Sequence, residues 1–197
     1  MDGAGGVEFD ETLVRRVASG SAPAFEVLIR RHMRRTIALA QGISGNAGDA
    51  DEIAQEAFMR VWQHAGRWDP DKGQFTTWLY RIVVNLCLDR RRRPQWLPME
   101  TAGDVADLRE DAPAVIARKE HQRAVAKAME SIPARQRAAV SLFYFQELSG
   151  REAAEVMGIK PAAFEQLLFR ARRAIKAELM ARGVISADGV ISDGVEP

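Results

Sequence analysis

The sequence predicts an all-α protein made of two small helical domains joined by a flexible linker, the second containing a helix-turn-helix. Three observations predict it. Apolar residues recur every three to four positions through most of the 197-residue chain, and no stretch alternates with the period of two of a half-buried strand. In mid-chain, residues 96–112 lose this rhythm and contain Pro98 and Gly103, with Pro113 next. Later, a short capped apolar segment runs into Gly158-Ile159-Lys160 and then a longer amphipathic segment, which is the helix-turn-helix plan.

The first lobe, residues 10–95, opens with Leu13 and Val17, followed by Ala24, Phe25, Leu28, Ile29, Met33, Ile37 and Ala40 at helical spacing. Residues 44–48 (SGNAG) form a turn. Asp49 reads as the N-cap of the next helix, with Glu52 three residues on, close to a capping box. That helix, residues 50–64, carries Ile53, Ala57, Phe58 and Val61 on one stripe. Residues 66–73 (GRWDPDKG) form a breaker-rich loop. A last helix runs from Phe75 to about Arg92 with Leu79, Ile82, Val83 and Leu86 inward, and Pro94 stops it.

A linker of ~20 residues can reach ~65 Å, so the lobes need not touch. The second lobe, residues 113–182, divides into helices near 114–131, 133–146, 149–157 and 161–182. Pro133 and Pro161 suit first-turn positions, and Ser149 with Glu152 makes a capping box. Residues 183–197 read as an acidic, disordered tail.

Charge divides along the same boundaries. Residues 1–95 have a net charge of +2, 96–117 of −4, 118–182 of +6 and 183–197 of −3, giving +1 overall. Such balance argues against indiscriminate polyanion binding, while the Arg90–Arg93 run calls for a local anionic partner. No apolar run approaches the ~20 residues of a membrane span and no signal-peptide pattern opens the chain, so a cytoplasmic location without membrane contact is expected. The single Cys87 excludes a disulfide framework. His32, His64 and His121 have no ligand or nucleophile spacing; surface histidines and a buried cysteine are the better account, so no catalytic group, metal or cofactor is expected.

In the helix-turn-helix, Phe164, Leu167, Leu168, Ala171 and Ile175 form the buried stripe. Lys160, Pro161, Ala162, Glu165, Gln166 and Arg170 then belong to the start and outer face of the second helix. Gln reads adenine and Glu accepts from cytosine in a major groove, while Arg170, Arg172, Arg173 and Lys176 can hold phosphates. Any two antiparallel helices joined by a Gly turn share this spacing.

The whole arrangement resembles a bacterial sigma factor of the extracytoplasmic-function (ECF) group, a two-domain class of the sigma-70 family. DADEIAQEAFMRVW (49–62) resembles that family's polymerase-clamp-binding helix. FTTWLYRIVVNLCLDRRRR (75–93) resembles its −10 melting and recognition helix. IPARQRAAVSLFYFQELSGREAAEVMGI (132–159) is similar to its −35-binding domain. The likeness covers about residues 10–182.

The resemblance implies an all-helical initiation factor, not an enzyme, with core RNA polymerase and promoter DNA as partners and an anti-sigma factor as inhibitor. It implies polymerase contacts at Asp51, Gln55, Glu56, Met59 and Arg60. It implies −10 contacts at Thr76, Thr77, Trp78, Tyr80, Arg81, Asn85, Arg90, Arg91, Arg92 and Arg93. It implies −35 contacts at Lys160, Pro161, Ala162, Glu165, Gln166, Arg170 and Arg173. Departures stand at the −35 helix: Lys160 holds the position of a hydroxyl cap, Ala163 replaces a Thr, and Glu165-Gln166-Leu167 replaces a basic-Ser-basic run. Fewer phosphate cations weaken nonspecific affinity, and the −35 preference of better-known relatives does not transfer. The rival expectation is a sigma-like decoy that sequesters an anti-sigma factor; it has no use for Asn85 or Arg90–Arg93. An ordinary helix-turn-helix repressor leaves the first lobe without a role.

Overall fold

The computed structural model describes residues 8–90 and 113–185. The linker 96–112, Arg91, Arg92, Arg93 and the tail beyond residue 185 lie outside the described residues. The described residues form eight α-helices and no strand: α1 (Asp10–Ala18), α2 (Ala22–Ser44), α3 (Ala47–His64), α4 (Phe75–Arg90), α5 (Pro113–Glu130), α6 (Ala134–Val140), α7 (Gly150–Met157) and α8 (Pro161–Ala181). None is long and apolar enough to cross a membrane.

Local chemistry sets the helix ends. Ser21 caps α2 by accepting from the Ala24 N–H at 3.4 Å, with a proline in the first turn. The cap of α3 is Asn46, not Asp49. Its Oδ1 accepts from the N–H groups of Gly48 (2.8 Å) and Asp49 (3.4 Å), so the helix begins three residues earlier than the sequence suggests. Asp49 sits in the first turn instead, where a carboxylate favours the helix dipole. The capping box of α7 forms as expected: the Ser149 N–H donates to Glu152 at 2.8 Å, and the Glu152 N–H donates back to Ser149 Oγ at 3.3 Å.

The segment expected as one helix over 133–146 is two unlike pieces. After α6 the backbone widens through Ser141–Phe145, with the Gln146 N–H bonding five residues back to Ser141 at 3.0 Å.

In the first lobe, α1, α3 and α4 pack on α2, and α4 packs on α3 as well. Leu28, Leu39, Ile43, Ile53, Val61, Leu79 and Val83 are fully buried. His32 is buried too, contrary to the surface position expected of it. Its Nε2 lies 2.6 Å from the Asp10 carboxylate, whose other oxygen accepts from Arg31 at 2.8 Å. These bonds tie the start of α1 to α2. In the second lobe Leu142, Ala153, Ala154, Phe164 and Ala171 form the core, with α7 laid against α8.

The two lobes pack directly on each other. Helices α6 and α7 lie against α2 and α4, so one apolar core runs through both lobes. At the centre of this contact Arg137 is 1% exposed; its Nε donates to the Ile43 carbonyl at 2.6 Å, while Nη1 donates to the carbonyls of Ile132 (3.0 Å) and Glu130 (3.2 Å). Gly42 lets the helices close: a Cβ there would stand 2.6 Å from Ser141 Oγ.

Candidate nucleic-acid and protein interfaces

The outer face of α3 presents Asp51, Gln55, Glu56 and Met59 to solvent, with Arg60 half-buried and paired to Glu56 at 2.6 Å. The inward stripe of Ile53, Ala57, Phe58 and Val61 forces this, because residues three and four apart share a helix face. The sequence reading missed the aromatic border of the face. Trp62 is exposed and its ring lies 5.0 Å from that of Phe25, which in turn meets Phe58 edge-on at 6.3 Å. Met59, 56% exposed, completes an apolar strip beside the acidic side chains.

Helix α4 divides the expected −10 residues into unlike groups. Thr77, Arg81 and Asn85 follow at four-residue intervals, and Arg81 and Asn85 are exposed. Thr77, Trp78 and Arg81 meet the preceding loop at a cavity of about 200 Å³, closed on the loop side by Trp68, Asp69 and Gln74. Trp78 is half-buried, its ring 6.1 Å from that of buried Phe75. Thr76 faces a different cavity, about 240 Å³, beside Phe9 and Arg31.

Tyr80 offers no aromatic surface: it is 2% exposed, and burial pushes its phenol above the ordinary tyrosine value despite nearby Arg35. Arg90 is not free for a phosphate either. It is bonded to Glu52 and lies 3.3 Å from Asp49, pinning the end of α4 to α3, and the Glu52 hydrogen bond raises its pKa further.

The loop before α4 has an internal structure that its breaker-rich sequence does not signal. Asp69 accepts from the Asp71 N–H at 3.1 Å and pairs with Lys72 at 2.9 Å. Lys72, then the Asp71 amide, lower the Asp69 carboxyl, and Asp69 raises Lys72. Gly73 has φ 136°, where a side chain is strained, and Gln74 after it lies on the walls of both cavities.

In the helix-turn-helix, Gly158 adopts φ 64° to end α7, and Pro161 opens α8. Lys160 precedes α8 without a side-chain cap bond. Buried Phe164, Leu168 and Ala171 leave Lys160, Pro161, Ala162, Glu165, Gln166, Arg170 and Arg173 exposed together. Two side chains change this picture. Phe169, missed in the sequence as an apolar residue off the buried stripe, is 58% exposed on the same face, with the Arg173 guanidinium 5.8 Å from its ring centre. Arg172 is occupied: its Nε donates to the Tyr144 hydroxyl at 2.7 Å and its guanidinium lies over Phe143 and Tyr144. It therefore braces α8 on the preceding turn and does not reach outward for a phosphate.

Two helical lobes in one chain, one with a cavity at the start of α4 and the other with a capped helix-turn-helix, define an all-helical, two-lobed protein of the helix-turn-helix class. Comparison with known proteins narrows that class. Sigma-70 region 2 matches residues 28–97, and Sigma-70 region 4 matches residues 122–175. The chain is similar to the ECF RNA polymerase sigma factor SigM of Mycobacterium tuberculosis, 34% identical over 163 residues that span 83% of this chain and 81% of that protein. It is also similar to SigW of Bacillus subtilis, 30% identical over 180 residues covering 84% of this chain and 94% of that one. Among solved structures it resembles CnrH in complex with the cytosolic domain of CnrY, with a TM-score of 0.65 at 29% identity over 87% of this chain and 97% of that chain. The chain belongs to the ECF group of sigma-70 family sigma factors, the alternative factors that direct promoter-specific initiation by RNA polymerase.

Proposed function

We propose how this factor divides its work. The α3 face of Asp51, Gln55, Glu56, Met59 and Arg60, with the Phe25–Trp62 strip, binds core RNA polymerase. The α4 cavity takes an unpaired base of the −10 element, with Trp78 as its aromatic wall, the Thr77 hydroxyl and Gln74 amide as polar partners, and Arg81 and Asn85 along the strand. Unstacking a base costs a few kcal/mol, and stacking with hydrogen bonds recovers it. The outer face of α8 enters the −35 major groove, where Gln166 and Glu165 read base edges, Phe169 meets a thymine methyl, and Arg170 and Arg173 meet phosphates. Arg91, Arg92 and Arg93, by sequence alone, are proposed to neutralise the opening duplex. The factor makes no covalent change; specificity is binding energy.

The observation that carries this reading is the convergence of Thr77, Trp78 and Arg81 on one cavity with the loop before α4, in the same chain as an unobstructed α8 face. An anti-sigma partner is part of the proposal, supported by the likeness to CnrH, a protein solved bound to a cytosolic domain of CnrY.

Run-off transcription with core polymerase, on templates taken from starts mapped after overexpression, tests it. Specific transcripts are expected from the wild-type chain. Glu56→Lys reverses a charge on an exposed position paired to Arg60 one turn along the same helix, so core binding falls about tenfold while the thermal midpoint stays within a degree or two. A chain that associates with no core enzyme at modest salt overturns the reading.

A further inference from the structure

We propose that His32 is a positioning residue for the opening of promoter DNA: held by Asp10, it sets through Phe75 the angle at which Trp78 meets an unpaired base. The inference rests on the reading of the α4 cavity as a base site and names what gives that site its shape. Trp78 forms one wall of the cavity and is half-buried. Among the described residues its indole makes no side-chain hydrogen bond, so packing alone sets its rotamer. A ring that packing alone holds is only as fixed as the ring it packs on.

That ring is Phe75, three residues earlier on α4, at 6.1 Å and tilted by 58°. Phe75 is 1% exposed, and the His32 ring of α2 meets it edge-on at 5.3 Å and 67°. His32 Nε2 in turn lies 2.6 Å from an Asp10 carboxylate oxygen at the start of α1. Of the three rings, His32 alone has a polar tether. The tether is itself anchored. The other Asp10 oxygen accepts from Arg31 at 2.8 Å, the Glu8 carbonyl accepts from the same Arg31 nitrogen at 2.6 Å, and the Glu8 carboxylate accepts from Arg16 at 2.8 Å.

Asp10, His32 and the Phe75–Trp78 pair come from three different helices. The angle of the cavity wall is therefore set by how α1 and α2 meet α4, and not by α4 alone. A binding group works best when its supporting residues lock its rotamer in advance. A stacking partner that is already fixed loses less freedom when the base arrives, so more of the stacking energy goes into holding the base out of the duplex. A histidine that only filled the core would be replaced without loss by an apolar side chain of similar size, and that difference makes the role testable.

Binding of the full chain, assembled with core polymerase, to single-stranded −10 oligonucleotides tests this. The oligonucleotides carry the non-template sequence of a mapped start, either intact or with an abasic site at each position in turn. In the wild type, one abasic position should weaken binding about tenfold, as the loss of a stacked base does. In His32→Leu, which keeps the core filled but removes ring and tether, the same abasic site should cost about twofold or less, because protein and base are coupled. Asp10→Ala, which leaves the ring untethered, should lie between the two. Arg31→Met breaks the other bond of Asp10 but leaves His32 its partner, and should keep the full wild-type cost. Each ratio comes from one protein preparation, so a fraction that fails to fold cancels. An abasic cost in His32→Leu equal to that of the wild type overturns the positioning role and leaves His32 as core filler. An equal loss in Arg31→Met overturns it too, since the anchoring of α1 would then carry the effect. Wild type separates the two readings: if no abasic position matters there, the base site itself falls and this inference with it, whereas a wild-type effect that His32→Leu preserves removes only the positioning role.

Discussion

At the scale of single residues, exposure separates side chains that hold the fold from those available to a partner. Phe169 and Phe164 are five positions apart on α8, yet one is 58% exposed and the other fully buried. Phe164→Ala would leave a core cavity. Phe169→Ala removes only surface, so the fold should persist while specific −35 affinity drops by about 1 kcal/mol, or five- to tenfold. Titrating salt in a binding assay distinguishes it from its neighbour: Phe169→Ala should keep the slope of log K against log salt, and Arg170→Ala should lower that slope by about one. A slope change in Phe169→Ala would show that its partner Arg173 carries the effect. Cys87 gives a second check. Burial, as the main cause, pushes its thiol up to about 12, against an ordinary value near 9. The protonated thiol is the form the fold accepts, so its contribution to stability is complete below about pH 9 and is lost as pH rises from there toward 12. The native chain should therefore resist alkylation at pH 8.5 that urea-unfolded chain undergoes, and its urea midpoint should begin to fall above pH 9.

At the scale of elements, the sequence was readable wherever a helix end is set by its own neighbours. The Ser149–Glu152 box, the Gly158 turn and Pro161 all lie within a few residues of the backbone groups they satisfy. The start of α3 was misread because two candidates compete: Asn46 and Asp49 are both good caps, and Asp49 has the added attraction of Glu52 three residues on. Asn46 wins by satisfying two N–H groups, which frees Asp49 to approach Arg90 on α4. The substitutions should rank accordingly. Asn46→Ala should cost about 1 kcal/mol in urea unfolding, and Asp49→Ala only a few tenths, since a half-buried surface ion pair still open to solvent contributes little. The reverse order would restore the sequence assignment. Tyr80 was misjudged for a related reason. Spacing puts Trp78, Tyr80 and Arg81 in one aromatic-basic run, but α4 buries residues on two sides, against α2 and against α3, so Tyr80 turns inward where an amphipathic helix would expose it. The wide turn at Ser141–Phe145 has no local signature at all; it arises where α6 must bend beside α2.

At the scale of the molecule, the helical class and the order of the surfaces were legible, whereas the docking of the lobes was not. Arg137 and Ile43 are separated by 94 positions, and nothing in the sequence near Arg137 distinguishes it from a surface arginine of a basic lobe. Only the fold shows that its guanidinium joins the ends of α2 and α5 with the turn after α5. That placement has a thermodynamic consequence. Two lobes that merely shared a chain would melt independently, each with its own small core, whereas a buried charge and a continuous apolar contact couple them. The wild-type chain should unfold in one calorimetric transition whose van't Hoff and calorimetric enthalpies agree. Gly42→Leu, which favours α2 in isolation by replacing a helical glycine yet drives a side chain into Ser141, should split that transition in two. The split follows because the first lobe keeps all its own contacts, while the second lobe loses the Ile43 carbonyl from Arg137 and the cover of α2 and α4 over α6 and α7. It should therefore melt first. Two transitions already present in the wild type would mean that the contact between the lobes is too weak to hold them together, and a single transition in Gly42→Leu would mean that Ser141 yields and the lobes stay joined.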